Sequence, residues 1–82
     1  MKEGEKMRDY DMAKIGKVCR RARRRRDYTQ KQAAIETGYS TENICGFEHG
    51  RNCNAKLLLW YMLECGLTID ELKGCLMYGK VI

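Results

Sequence analysis

Residues 29–50 read T-Q-K-Q-A-A-I-E-T-G-Y-S-T-E-N-I-C-G-F-E-H-G, and the fold turns on them. Thr29 followed three places later by Gln32 is a capping box. The hydroxyl accepts an orphan N–H of the first helical turn, and the glutamine reaches back to the Thr29 N–H. The helix so opened carries Ala33, Ala34 and Ile35 and ends at Gly38, which tolerates the left-handed backbone of a helix stop. Ser40 is a second capping residue. It opens a helix that points Ile44 and Phe47 inward and ends at Gly50. Two short helices joined by a tight glycine turn are therefore expected, with no alternation of the kind a strand needs.

Working outward, Ile15, Val18, Cys19 and Ala22 recur at helical spacing, which predicts a first helix from Met12 to about Arg26. Asp27 follows where the chain must turn, a place its side chain suits by bonding the local backbone. Asn54 opens a fourth helix, from Ala55 to about Cys65. On it Ala55, Leu58, Leu59 and Met62 share the face expected to meet the core, with Cys65 at its edge. Leu57, Trp60 and Tyr61 then point elsewhere. Thr68 caps a short fifth helix from Ile69 to about Leu72. Leu76, Met77, Tyr78, Val81 and Ile82 make a final apolar segment. The expected organisation is all-α: a flexible arm over 1–11, a five-helix domain over 12–73, and a short apolar tail over 74–82.

The 82 residues are 33% charged and 44% hydrophobic, with no proline and a net charge of +5. That balance fits one globular helical domain rather than a disordered chain. Arg20, Arg21, Arg23, Arg24, Arg25 and Arg26 crowd together, broken only by Ala22, and such a block suits phosphate backbones or anionic lipid. No apolar run approaches the ~20 residues of a membrane span, and no secretory h-region opens the chain. A cytoplasmic protein without a membrane partner is expected. The five cysteines form no CxxC pair. Cys45, His49 and Cys53, spaced by four, are the one metal-like set. It lacks a fourth ligand and is interrupted by Gly50, so no metal or other cofactor is expected. Cys19 and Cys65 fit better as small buried apolar residues.

Gln30, Ala34, Gly38, Ile44 and Phe47 together resemble the lambda-repressor and Cro type of helix-turn-helix. F-E-H-G-R at 47–51 and G-L-T-I-D-E-L at 66–72 are similar to that family's stretches after its third helix and at its last helix junction. The resemblance runs from Ile15 to Leu72. It implies a five-helix DNA-binding domain whose third helix enters the major groove of a duplex. Ser40, Thr41, Glu42 and Asn43 would then meet the bases. Asparagine can pair with adenine, threonine can touch a thymine methyl and glutamate can accept from cytosine. Phosphates would be held by Gln30 at the start of the second helix, where free N–H groups also point outward, and by His49, Arg51 and Lys56. Arg23 and Glu48 look like the family's buried structural pair. Three departures stand out: a loop one residue short between Gly50 and Asn54, Asp27 in place of a common glycine, and Gly46 where relatives carry a base-reading side chain.

The resemblance implies sequence-specific binding of double-stranded DNA by a small transcription regulator, a repressor of the phage or mobile-element type. The apolar residues left over suggest a homodimer with Leu57, Trp60 and Tyr61 at its interface. Glu42 and Gly46 leave open an interaction module that keeps the fold without a DNA code. RNA binding through the arginine block lacks the aromatic side chains on which bases stack. Enzymatic function is not expected, because no nucleophile–base set, paired carboxylates or phosphate loop is visible, and no small-molecule substrate is implied.

Overall fold

A computed structural model of the protein describes residues 8–78. Five helices follow one another: α1 (Met12–Arg25), α2 (Gln30–Thr37), α3 (Thr41–Glu48), α4 (Ala55–Glu64) and α5 (Ile69–Lys73). Each begins at a side-chain cap. Asp11, Thr29, Ser40, Asn54 and Thr68 accept the N–H of the third residue of α1 to α5 in that order. Capping boxes are complete at Thr29–Gln32 and Thr68–Glu71. Caps of this kind contribute about 1 kcal/mol each. Gly38 stops α2 with φ of 81°, so α3 can start three residues later, at Thr41. Asp27 takes the left-handed region as well, at φ 58°, where a short polar side chain is tolerated.

The ends of the described chain differ from the arm and tail that the sequence suggests. Arg8–Tyr10 (β1) and Leu76–Tyr78 (β2) pair as an antiparallel ribbon, with Arg8 opposite Tyr78 and Tyr10 opposite Leu76. A bond from Asp11 N–H to the Cys75 carbonyl (3.0 Å) ties the ribbon to the start of α1. The backbone groups at 8–11 thus find their partners across the molecule. The Met1–Met7 part of the expected arm and the tail residues Val81 and Ile82 lie outside the described residues.

The core gathers Ile15, Cys19 and Ala22 from α1, Ala33 from α2, Ile44 and Phe47 from α3, and Leu57, Trp60 and Tyr61 from α4, closed by Cys65, Leu67 and Cys75. Helices α1 and α3 cross at Gly16, where a Cβ would collide with the main chain of Phe47 and Glu48. Burial pushes the Cys19 thiol up to about 12 and the Cys65 thiol to about 11, so both serve as apolar filling.

One helix is rotated from its expected setting. The sequence places Ala55, Leu58, Leu59 and Met62 of α4 on the core and turns Leu57, Trp60 and Tyr61 outward to a dimer interface. In the structure Leu57 and Tyr61 are fully buried and Trp60 is 8% exposed, while Leu59 and Leu63 are 55% and 77% exposed. Leu58 and Met62 lie at the margin of the core. The cause is polar. Trp60 Nε1 donates to Glu36 Oε1 of α2 (3.0 Å), and the Tyr61 hydroxyl donates to Glu48 Oε2 of α3 (2.5 Å). Trp60 also meets Tyr28 and Tyr61 edge to face, with centroids 5.3 and 5.0 Å apart. Large aromatic residues with polar tips are most stable where body and tip are both satisfied, and only the inward face offers Trp60 and Tyr61 that combination. They are intramolecular core residues and do not form the exposed dimer surface that the sequence suggests.

Candidate nucleic-acid interface

Behind the candidate surface lies a buried polar lock. Arg23 of α1 grips Glu48 at the end of α3 with two bonds, Nε to Oε2 at 2.7 Å and Nη2 to Oε1 at 3.0 Å. Its Nη1 donates to the Tyr28 carbonyl (2.7 Å), which fixes the link between α1 and α2. Tyr61 and Gln30 complete the set, Gln30 Nε2 reaching Glu48 Oε1 at 3.2 Å. Burial alone would push the Glu48 carboxyl up. The bonds from Arg23, Tyr61 and Gln30 outweigh it and hold the group below the usual carboxylate range. The same bond to Glu48 raises Arg23. Burial, followed by the bond to Glu48, pushes the Tyr61 phenol up. Both members of the pair are charged, and one carboxylate ties together all of the first four helices or their links.

This lock fixes how α2 and α3 present their leading turns. Ser40, Thr41, Glu42 and Asn43 are all exposed. The Ser40 hydroxyl is committed to the Asn43 N–H (3.1 Å), so Ser40 acts first as a cap. The side chains of Thr41, Glu42 and Asn43 make no hydrogen bond or ion pair with other described residues. Their surface holds one negative charge, Glu42, in the first turn of α3.

Gln30 stands at the first position of α2, half-buried, its amide nitrogen turned inward to Glu48. What it offers outward is the leading N–H groups of the helix, which carry the positive end of the helix dipole. The other three expected phosphate residues do not all have the same neighbours. His49 caps the end of α3 with Nδ1 2.8 Å from the Cys45 carbonyl, and Nδ1 also lies 3.5 Å from Cys45 Sγ. Arg51 reaches the same sulfur with Nη2 (3.9 Å). Lys56 holds its ammonium 5.3 Å from the centroid of Tyr39 in the turn before α3. Lys56 therefore flanks the beginning of the exposed α3 surface, and His49 and Arg51 flank its end. Cys53 joins neither, and no group of three metal-ligating side chains occurs among the described residues.

Two residues of this surface carried no sequence signal of their own. Asn52 donates from Nδ2 to the Asn43 carbonyl (3.4 Å) and closes over Gly46, where a Cβ would come within 2.7 Å of that nitrogen. Gly46 is buried for this reason, and the short loop after α3 packs directly on the helix. A glycine inside a helix was the available clue, since it costs about 1 kcal/mol against alanine and so asks for a packing reason. Tyr39, the partner of Lys56, could not be read from spacing.

No family model matches the chain, and no curated protein or solved structure matches it. No helix among the described residues is long and apolar enough to cross a membrane.

Proposed function

We propose that this chain is a lambda-repressor-like helix-turn-helix domain that binds double-stranded DNA and acts as a small transcription regulator, most simply a repressor. The observation that carries the reading is the presentation of α3. Its first turn projects Thr41, Glu42 and Asn43 into solvent from a helix pair braced by a buried ion pair, between the cations Lys56 on one side and Arg51 on the other. A helix so displayed fits a major groove, and base-edge contacts would come from those three side chains. The net charge of +5 favours a polyanionic partner.

The test is selection of bound duplexes from a random pool. An enriched half-site supports the reading. Retention of no duplex overturns it and favours an interaction module built on the same scaffold. If a site is enriched, Thr41→Ala and Glu42→Ala should each relax preference at one base pair, by about 1–3 kcal/mol for a good contact. Unchanged selectivity in both variants would remove them from the code.

Operators of this class are two-fold, so a homodimer belongs to the proposal. With Trp60 and Tyr61 buried, the apolar surface on α4 still available for it is the outward row of Leu59 and Leu63. Sedimentation of the parent with and without its selected duplex, beside Leu63→Glu, decides this point. A parent that binds as a monomer, or a variant that pairs as well as the parent, rules the row out.

A further inference from the structure

The basic block of α1 divides into parts with different tasks. Arg23 is spent inside on Glu48, and Arg25 on Glu71. Arg20 and Arg24, one helical turn apart, are exposed and make no ion pair among the described residues. They are not scattered. Both line an open depression of about 550 Å³ whose other wall is Tyr28, Thr29 and Gln30, the start of α2. Arg23, already paired with Glu48, and Asp27 stand at this depression too, which leaves one carboxylate against the two guanidinium groups of Arg20 and Arg24. Arg21 and Lys17 continue the cationic surface on the far side of the same row.

We infer that Arg20 and Arg24 hold backbone phosphates of the same duplex outside the half-site read by α3, so that the cationic row of α1 lengthens the footprint. The inference rests on the DNA-binding reading above and adds residues that the helix-turn-helix pattern does not supply. Charge complementarity names the occupant: two adjacent planar forks suit phosphate oxygens, and the aromatic at this depression, Tyr28, is half-buried with its ring packed on Trp60 rather than standing free to stack unpaired bases. The depression opens beside the α2 start, whose N–H groups already face phosphate in that reading. A strand leaving the half-site would therefore run from Gln30 along α1. Such contacts carry no sequence information; they add affinity and salt dependence.

The test uses the full chain, a duplex ending at the selected site, and a second duplex extended by half a helical turn on each side. Binding is measured by fluorescence anisotropy over a range of KCl concentrations, for the parent and for the double variant Arg20→Gln with Arg24→Gln. Glutamine is nearly as good a helix former as arginine, and both arginines are exposed, so the thermal midpoint should not move. For the parent, the extended duplex should bind more tightly and with a steeper salt slope. In the variant that gain should vanish, and the slope on the extended duplex should fall by about 2 for each bound protomer, close to 0.9 for each lost phosphate. Selectivity for the site should be unchanged. If the parent binds both duplexes alike, or the variant keeps the gain on extension, the inference is overturned while DNA binding stands. A loss equal on both duplexes would mean a general charge effect and also overturns it. If the parent retains no duplex at all, the DNA-binding reading falls and this inference with it.

Discussion

Arg23 and Arg25 stand two residues apart on α1, and each grips a glutamate with a bidentate fork, yet the surroundings of the two pairs are opposite. Arg23 and Glu48 have side chains 7% and 0% exposed, and Tyr28, Gln30 and Tyr61 satisfy their remaining polar atoms. Arg25 and Glu71 meet at 3.0 Å in the open, at 44% and 23% exposure. Similar chemistry thus has unequal worth. In water the attraction is screened and each side chain loses freedom to make the contact. In the interior a lone charge has no solvent to fall back on, so the pair holds only as a complete set. The inner pair specifies how α1, α2, α3 and α4 meet; the outer one adjusts the docking of α5.

The largest effect should follow from breaking the inner pair alone. Arg23→Met leaves Glu48 buried without its cation, a loss of about 3–5 kcal/mol, enough to unfold much of so small a domain. The double variant Arg23→Met with Glu48→Leu should recover only part of this. The Tyr61 hydroxyl then loses its acceptor, and a buried unsatisfied donor costs about 1–3 kcal/mol. Adding Tyr61→Phe should restore a further share. Thermal melts of the series check the ordering. Additive losses from Arg23→Met and Glu48→Leu would show that the two side chains act independently.

This network also explains what could and could not be read in the sequence. Helix boundaries were legible because caps and stops are local: Thr29, Ser40, Asn54, Thr68 and Gly38 each announce an end within a few residues. The pairing of Arg23 with Glu48 was legible only through resemblance, since nothing in their spacing links them. The setting of α4 was not legible. The row Leu58, Leu59, Met62 and the row Leu57, Trp60, Tyr61 are both apolar, so periodicity gives two equal answers. What decides between them is the position of Glu36 and Glu48 on other helices, which is tertiary information. The ribbon of Arg8–Tyr10 with Leu76–Tyr78 escaped for a similar reason, because three-residue strands at opposite ends of the chain carry too little alternation to detect. At the candidate interface, Thr41, Glu42 and Asn43 are exposed in the first turn of α3, whereas Lys56 lies over Tyr39 and Gln30 is turned partly inward by Glu48.

Acid should separate the two pairs next, with a smaller effect at first. Both glutamates have folded values below the ordinary 4.5, through opposing causes at Glu48 and mainly through the Arg25 bond at Glu71, which lies at about 2. A lowered carboxyl binds protons less readily in the folded state than in the unfolded one. Its stabilisation is therefore complete above the unfolded value and is lost as pH falls through the folded one. Thermal midpoints should be flat from pH 7 to about 5 and fall between about 4.5 and 2. Salt distinguishes the sources: 1 M KCl, with a Debye length of about 3 Å, should erase most of the Glu71 share and leave the Glu48 share. A fall that disappears entirely in high salt would mean that the buried pair contributes nothing to acid sensitivity.

The smallest effect belongs to Arg25→Met, and its smallness is the sharpest statement of the comparison. Removing Arg25 leaves Glu71 close to solvent and still bonded to its own helix start. Its Oε1 accepts from the Thr68 N–H (3.1 Å) and hydroxyl (3.2 Å), which completes the capping box of α5. Glu71 also sits in the first turn of α5, where the helix dipole favours a negative charge. Nothing buried is orphaned, so the thermal midpoint at neutral pH should match the parent within error. What should change is the acid limb. Without the guanidinium, the largest cause of the lowered Glu71 carboxyl is gone, and the group should titrate nearer 4.5. The variant should then lose less stability than the parent between pH 4.5 and 2, and the difference should vanish in 1 M KCl. Carbon-detected titration of the Glu71 carboxyl follows the same shift directly. A variant that melts far below the parent at pH 7 would show that the outer bridge holds α5 as firmly as the inner one holds α3, and the contrast between buried and exposed pairs on α1 would fail.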